Sequence, residues 1–106
     1  MIIPKSTYDA FIGTRLEEVL RVNMGDRVVV CGVMADCCCD TTARGAFNRG
    51  FETWLVGGGC GSANATQHRA GLKAFGLGFG DVVNTKEVVG RIDGYEKDDE
   101  RQGLVN

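Results

Sequence analysis

Three short runs rich in valine and other β-prone residues recur along the chain: Asp26 to Val33 (DRVVVCGV), Phe51 to Val56 (FETWLV) and Asp81 to Asn84 (DVVN). Each is preceded by a stretch with helical character, so the order reads helix, strand, helix, strand, helix, strand. Connections long enough to carry helices favour a parallel sheet with right-handed crossovers over an antiparallel one. The fold expected is therefore α/β, a parallel sheet with flanking helices in a Rossmann-like three-layer α/β/α arrangement. The first run is almost continuously apolar, as in a strand buried on both faces, and reads as the central strand.

The helices have their own signals. The first is expected to open at Thr14, capping the orphan amides while Glu17 reaches back, with Leu16, Val19 and Leu20 as its apolar stripe and Gly25 at its end. The second spans about Asp36 to Arg49. Its small residues Ala43, Gly45 and Ala46, beside Phe47, form a face able to lie close against the sheet, and Gly50 caps its end. The third starts near Asn64 with Gln67 as capping partner, and the spacing of Ala65, His68, Leu72 and Phe75 turns one face inward. His68 then falls at an interior or pocket edge, most simply as a partly buried packing histidine. After Ile92 the residues become polar and densely charged, with too little apolar surface to offset the entropy of ordering. One domain over residues 1–92 and a polar, disordered tail over residues 93–106 are expected.

Composition excludes several classes of function. A net charge of −2 with scattered Lys and Arg offers no basic face for nucleic acid. The longest apolar run, Val28 to Ala35, is far short of the roughly 20 residues that span a bilayer, and the start lacks a signal peptide's apolar region, so no membrane association and a cytoplasmic location are expected. Five cysteines, three of them consecutive at Cys37, Cys38 and Cys39, suit free thiols better than a disulfide framework. No C-x-x-C pair occurs and His68 is the single histidine, so no metal site is expected.

Chemistry concentrates between Val30 and Arg44, where an apolar strand gives way to a helix within a few residues. The carboxyl end of a parallel strand meets the crevice where α/β proteins bind ligands. The amides and partial positive charge of the next helix stabilise a thiolate there, and the same amides can hold an oxyanion. Consecutive helical residues point about 100° apart, so at most one of the three cysteines faces a substrate squarely. Spacing alone does not choose among them, and it equally allows all five cysteines to be small buried hydrophobes.

The stretch GVMADCCCDTTARGAF at positions 32 to 47 resembles the signature of the isochorismatase-like cysteine hydrolases, G-V-x-T-N/D-x-C-V-x-x-T-A-x-x-A. Aligning Gly32-Val33 and Thr42-Ala43 puts Cys38 on the family's nucleophile. Upstream, the run from Lys5 through Ala10-Phe11, Gly13-Thr14 and Leu16 is similar to the family's K-x-x-x-x-A-F-x-G-T-x-L segment, and Lys5 matches its catalytic lysine. Gly50-Phe51, Val56, Cys60 and His68 also fit, so the resemblance runs over residues 1 to 92.

The resemblance implies hydrolysis of an amide or related carbon–nitrogen bond in a small-molecule substrate through a thioester, without a cofactor. Lys5 is then the electrostatic partner of Cys38. It further implies a cis peptide between Val33 and Met34, and an oxyanion hole made by the backbone amides of Met34 and Cys38. Vinyl ether hydrolysis, the isochorismatase reaction proper, does not use the cysteine and is the less favoured chemistry. Only the C-terminal part of the family's domain is matched. The family's catalytic aspartate, and the metal ligands of nicotinamidase-like members, belong to an N-terminal half with no counterpart here, which implies impaired turnover. Gly58 stands where members commonly carry an acidic residue, which puts order in Gly57-Gly58-Gly59 in question. A sheet of about three strands exposes an edge that invites self-association or a covering partner. The same fold serving as a non-catalytic interaction module is the alternative.

Overall fold

The computed structural model describes residues 1–34 and 37–93. Along the chain lie α1 (Leu16–Val22), β1 (Arg27–Val33), α2 (Cys38–Asn48), β2 (Glu52–Gly61), α3 (Ala65–Gly78) and β3 (Asp81–Val83), followed by a helix over residues 85–93, here α4. The strands form one parallel sheet in the order β1-β2-β3. Asp93, the first residue of the expected tail, ends α4; the rest of the tail, residues 94–106, lies outside the described residues, as does Asp36 at the expected start of the second helix.

Register fixes the two faces of the sheet. Val30 stands beside Leu55, which stands beside Val82. On this face Val30, Leu55 and Cys60 pack with Cys39 and Ala43 of α2 and Phe75 of α3. The opposite face carries Trp54, Val56 and Val83, clustered with Val88 of α4. A third cluster, Phe11, Ala46 and Phe51, joins the N-terminal loop to α2, with Leu16 and Leu20 of α1 against it. Leu16 and Leu20 of the stripe read for the first helix thus point toward the core, whereas Val19 lines a surface pocket with Met1 and Val22.

Several expectations change in detail. The run from Asp26 to Val33 is an edge strand; β2 is central. Burial along β1 alternates, with Val30 buried but Arg27, Val29, Cys31 and Val33 exposed on the other face, because none of the described helices covers that part of the sheet. β2 continues past Val56 to Gly61, through the glycine triplet. Val30 faces Leu55 while Gly32 faces Cys60, so β2 takes up extra residues between these pairs as a bulge. A Cβ on Gly59 would stand 3.1 Å from that of Cys31, a close approach that favours glycine there.

At α1, the Thr14 hydroxyl accepts a hydrogen bond from the Leu16 amide and donates to the Ala10 carbonyl. Glu17 does not reach back; its carboxylate is drawn to Arg21 and Arg49, at 3.4 and 3.8 Å. Met24 turns the chain with φ of 59°, and the Gly25 amide donates to the Leu20 carbonyl. Gly50 ends α2 at φ of 88°, a conformation that favours glycine. Asn64 caps α3 by accepting from the Gln67 amide at 2.8 Å.

Candidate active site

Beyond Val33, the strand-to-helix turn closes on one carbonyl. Met34 accepts from the amides of Cys37 and Cys39 at 3.1 and 3.0 Å, and the amide of Cys38 lies between these two in sequence. The Val33–Met34 peptide is cis. Cys38 is the first residue of α2, where an 11-residue helix concentrates partial positive charge.

The three cysteines meet different surroundings. Cys39 turns into the core between Val30 and Ala43, and its sulfur lies under Gly32, whose added Cβ would be 3.6 Å away. Burial pushes its thiol up to about 12, and the neighbouring Cys60 thiol adds to the rise. Cys60 is itself buried and raised by the same desolvation. Cys37 is half-buried before the helix. Cys38, also half-buried, lines an open cleft of about 570 Å³ together with Lys5, Ser6, Thr7 and Tyr8. No disulfide joins any of the five cysteines, and Cys31 on β1 is exposed.

Lys5 reaches this cleft because the N-terminal loop is fastened to α2. Its ammonium donates to the Thr7 carbonyl at 2.8 Å, and the Thr7 hydroxyl donates to the Asp9 carbonyl. The Thr42 hydroxyl, one helical turn beyond Cys38, accepts from the Ala10 amide at 3.0 Å and donates to the Tyr8 carbonyl at 3.1 Å. Asp9 is buried against α2, where one carboxylate oxygen accepts from the Phe11 amide at 2.9 Å and the other lies 3.9 Å from Arg49. Gly45 leaves the room: a Cβ there would stand 2.6 Å from Asp9 Oδ2. Its smallness therefore serves the loop, whereas Ala43 and Ala46 pack into the two core clusters.

Sequence reasoning brought Lys5 and Cys38 together only through the resemblance and missed the three residues that couple them: Asp9, Thr42 and Gly45. The available signal was a glycine inside a helix, which costs stability unless something packs closely. His68 is half-buried on α3 and is not part of the cleft's described lining. Asp40, a nearby carboxylate, is tied to Arg44 at 2.9 Å. Among the described residues no group of three or more His, Cys, Asp or Glu could hold a metal ion, and no helix is long and apolar enough to cross a membrane.

The family model for the isochorismatase domain matches residues 1–87. The chain belongs to the isochorismatase family. It is 39% identical over 83 residues to nicotinamidase 3 of Arabidopsis thaliana, covering 78% of this chain and 42% of that protein. A cysteine hydrolase from Pseudomonas syringae pv. phaseolicola superposes with a TM-score of 0.84 at 28% identity, over 89% of this chain and 49% of that one. The nicotinamidase of Staphylococcus aureus gives a TM-score of 0.72 at 33% identity, over 76% and 52%. The 106 residues thus span about half the length of these isochorismatase-family relatives. This is a hydrolase-family domain represented in part, with the parallel sheet and helices of its relatives.

Proposed function

We propose that this isochorismatase-family domain carries the nucleophile of a cysteine hydrolase acting on an amide or related carbon–nitrogen bond of a small molecule. The observation that carries the reading is that Cys38 alone among Cys37, Cys38 and Cys39 lines a cleft with Lys5, at the start of α2. The Cys38 thiolate adds to the substrate carbonyl carbon, and the carbonyl electron pair moves to oxygen. The amides of Met34 and Cys38 hold that oxyanion, since donors fixed where charge develops lower the barrier. Collapse re-forms the carbonyl, breaks the carbon–nitrogen bond and releases the amine with a proton, leaving a thioester. Water then adds to the thioester carbon, the carbon–sulfur bond breaks, and a carboxylic acid leaves as the thiolate returns. Lys5 favours the anionic sulfur through charge attraction.

The proton that leaves the thiol and reaches the amine needs a carrier in both halves of the cycle. By the family resemblance that carrier is an aspartate in the portion these residues do not span, so turnover by the 106 residues alone is impaired. An activated ester separates the two requirements, because its leaving group departs without a proton. With p-nitrophenyl acetate, the expected result is acetylation confined to Cys38, slowed in Lys5→Ala. Acetylation that favours the exposed Cys31, or that ignores the lysine, overturns the assignment. The second reading, a non-catalytic interaction module, draws on the uncovered apolar face of β1, and it predicts that Cys38 does not acetylate faster than Cys31.

A further inference from the structure

Two cysteines that the hydrolytic reading does not use lie in the core and touch each other. Cys39, in the first turn of α2, and Cys60, near the end of β2, are 4% and 8% exposed and share one core cluster with Val30. Gly32 brings them together. It is the ladder partner of Cys60, and the Cys39 sulfur lies under it, 3.6 Å from where a Cβ would stand. The Cys39 thiol donates to the Cys60 sulfur, which also accepts from the Gly32 amide and lies 4.0 Å from the Val30 carbonyl. The family signature has valine directly after the nucleophile, so the sulfur at position 39 is a feature of this chain and not of the motif.

We propose that Cys39 and Cys60 form a reversible dithiol–disulfide latch, closed by a low-molecular-weight disulfide and opened by thiols, that fastens the first turn of α2 to the central strand. One cysteine's thiolate attacks the small disulfide and bonds to one of its sulfurs, while the other sulfur leaves as a thiolate and takes up the proton. The second cysteine's thiolate then attacks the first cysteine's sulfur, the Cys39–Cys60 bond forms, and the second small thiolate leaves and is protonated. Two protein thiols are oxidised, and one small disulfide is reduced to two thiols. Desolvation raises the ionisation of both thiols above the ordinary value, so the pair is inert while covered and reacts when the turn lifts from the sheet. That turn is held at its start by the amides of Cys37 and Cys39 on the Met34 carbonyl. A link between positions some twenty residues apart also constrains the unfolded chain, which stabilises the fold. The same turn carries Cys38, yet the latch stands whether or not Cys38 is catalytic.

The test equilibrates the full 106-residue chain in glutathione buffers of graded oxidised-to-reduced ratio, both as the folded protein and by refolding from urea. Peptide mass spectrometry maps the disulfides. The expected result is a Cys39–Cys60 link by both routes, opened again when reduced glutathione is restored. The linked chain is expected to unfold at a urea concentration about 1–3 M higher than the reduced chain, with slower hydrogen exchange over residues 38–42. Cys39→Val, which puts the signature's residue back and keeps the core filled, is expected to remove both the link and the shift in midpoint, and Cys60→Ala is a second variant with the same expectation. No link by either route overturns the proposal, as do other pairings in its place. A link that forms only during refolding, or that reduced glutathione does not open, overturns its reversibility and with it the latch.

Discussion

Alanine at position 45 pits the helix against the loop that carries Lys5. In an isolated helix the change from glycine is favourable by about 1 kcal/mol. Here the new methyl group would lie 2.6 and 2.8 Å from the two carboxylate oxygens of Asp9. Asp9 cannot yield without loss, because it is 8% exposed and bonded to the Phe11 amide at 2.9 Å. Breaking a hydrogen bond to an ionised group costs about 1.5–3 kcal/mol. The two effects leave Gly45→Ala destabilising by about 0.5–2 kcal/mol. At roughly 4–8 °C per kcal/mol for a domain of this size, the midpoint falls by about 2–16 °C. Thermal and urea unfolding followed by circular dichroism read the loss. In an Asp9→Ala background the obstruction is gone, so the same substitution changes sign and stabilises by up to about 1 kcal/mol. A Gly45→Ala substitution with the same effect in both backgrounds would refute the proposed coupling between loop and helix.

Thr42→Val removes the bridge to Ala10 and Tyr8; a loss of about 1–2 kcal/mol is expected, with faster hydrogen exchange over residues 8–12, and unchanged exchange contradicts it. Cys39 gives a pH dependence whose sign follows from its raised folded value. The unfolded thiol ionises near 9.0 and the folded one near 12, so its contribution is constant below pH 9 and is lost as pH rises toward 12. Urea midpoints should therefore fall between pH 9 and 11 in the native chain, and less steeply in Cys39→Ala; equal slopes contradict the account. Phe75→Ala, which empties the centre of the α3–sheet contact, is expected to cost about 3–5 kcal/mol by urea unfolding, and a cost below 1 kcal/mol would place that side chain outside the core.

The parallel α/β arrangement was legible because valine-rich runs alternate with helical segments, and the caps at Asn64 and Gly50 because their chemistry is local. The position of β1 was not. Its apolar run states how much burial the strand suits, whereas its place at an edge depends on which neighbours this chain supplies. The glycine triplet suggested disorder, yet the ladder with β1 resumes at Cys60, so strand pairing outweighs the backbone entropy of Gly57, Gly58 and Gly59. Helix α4 has a local start signal in the Asn84–Glu87 pair: Asn84 accepts from the Glu87 amide at 2.7 Å, and Glu87 accepts in return from the Asn84 amide. At the site, the motif pointed to Cys38 and Lys5, but their shared cleft depends on contacts across more than thirty residues, from Tyr8 and Ala10 to Thr42. Side-chain direction on a helix start separated Cys38 from Cys39, a distinction that consecutive identical residues hide.

The central claim is that Cys38 is the nucleophile, and accessibility alone argues the other way, since Cys31 is the more exposed thiol. The direct measurement is the rate of iodoacetamide alkylation at each cysteine of the folded chain at neutral pH, resolved by peptide mass spectrometry, because reactivity follows thiolate character. The account predicts that Cys38 reacts faster than Cys31 and Cys37, that Cys39 and Cys60 stay protected, and that Lys5→Ala removes the advantage of Cys38. Rates that simply follow exposure, with Cys31 first and Lys5→Ala without effect, would contradict it.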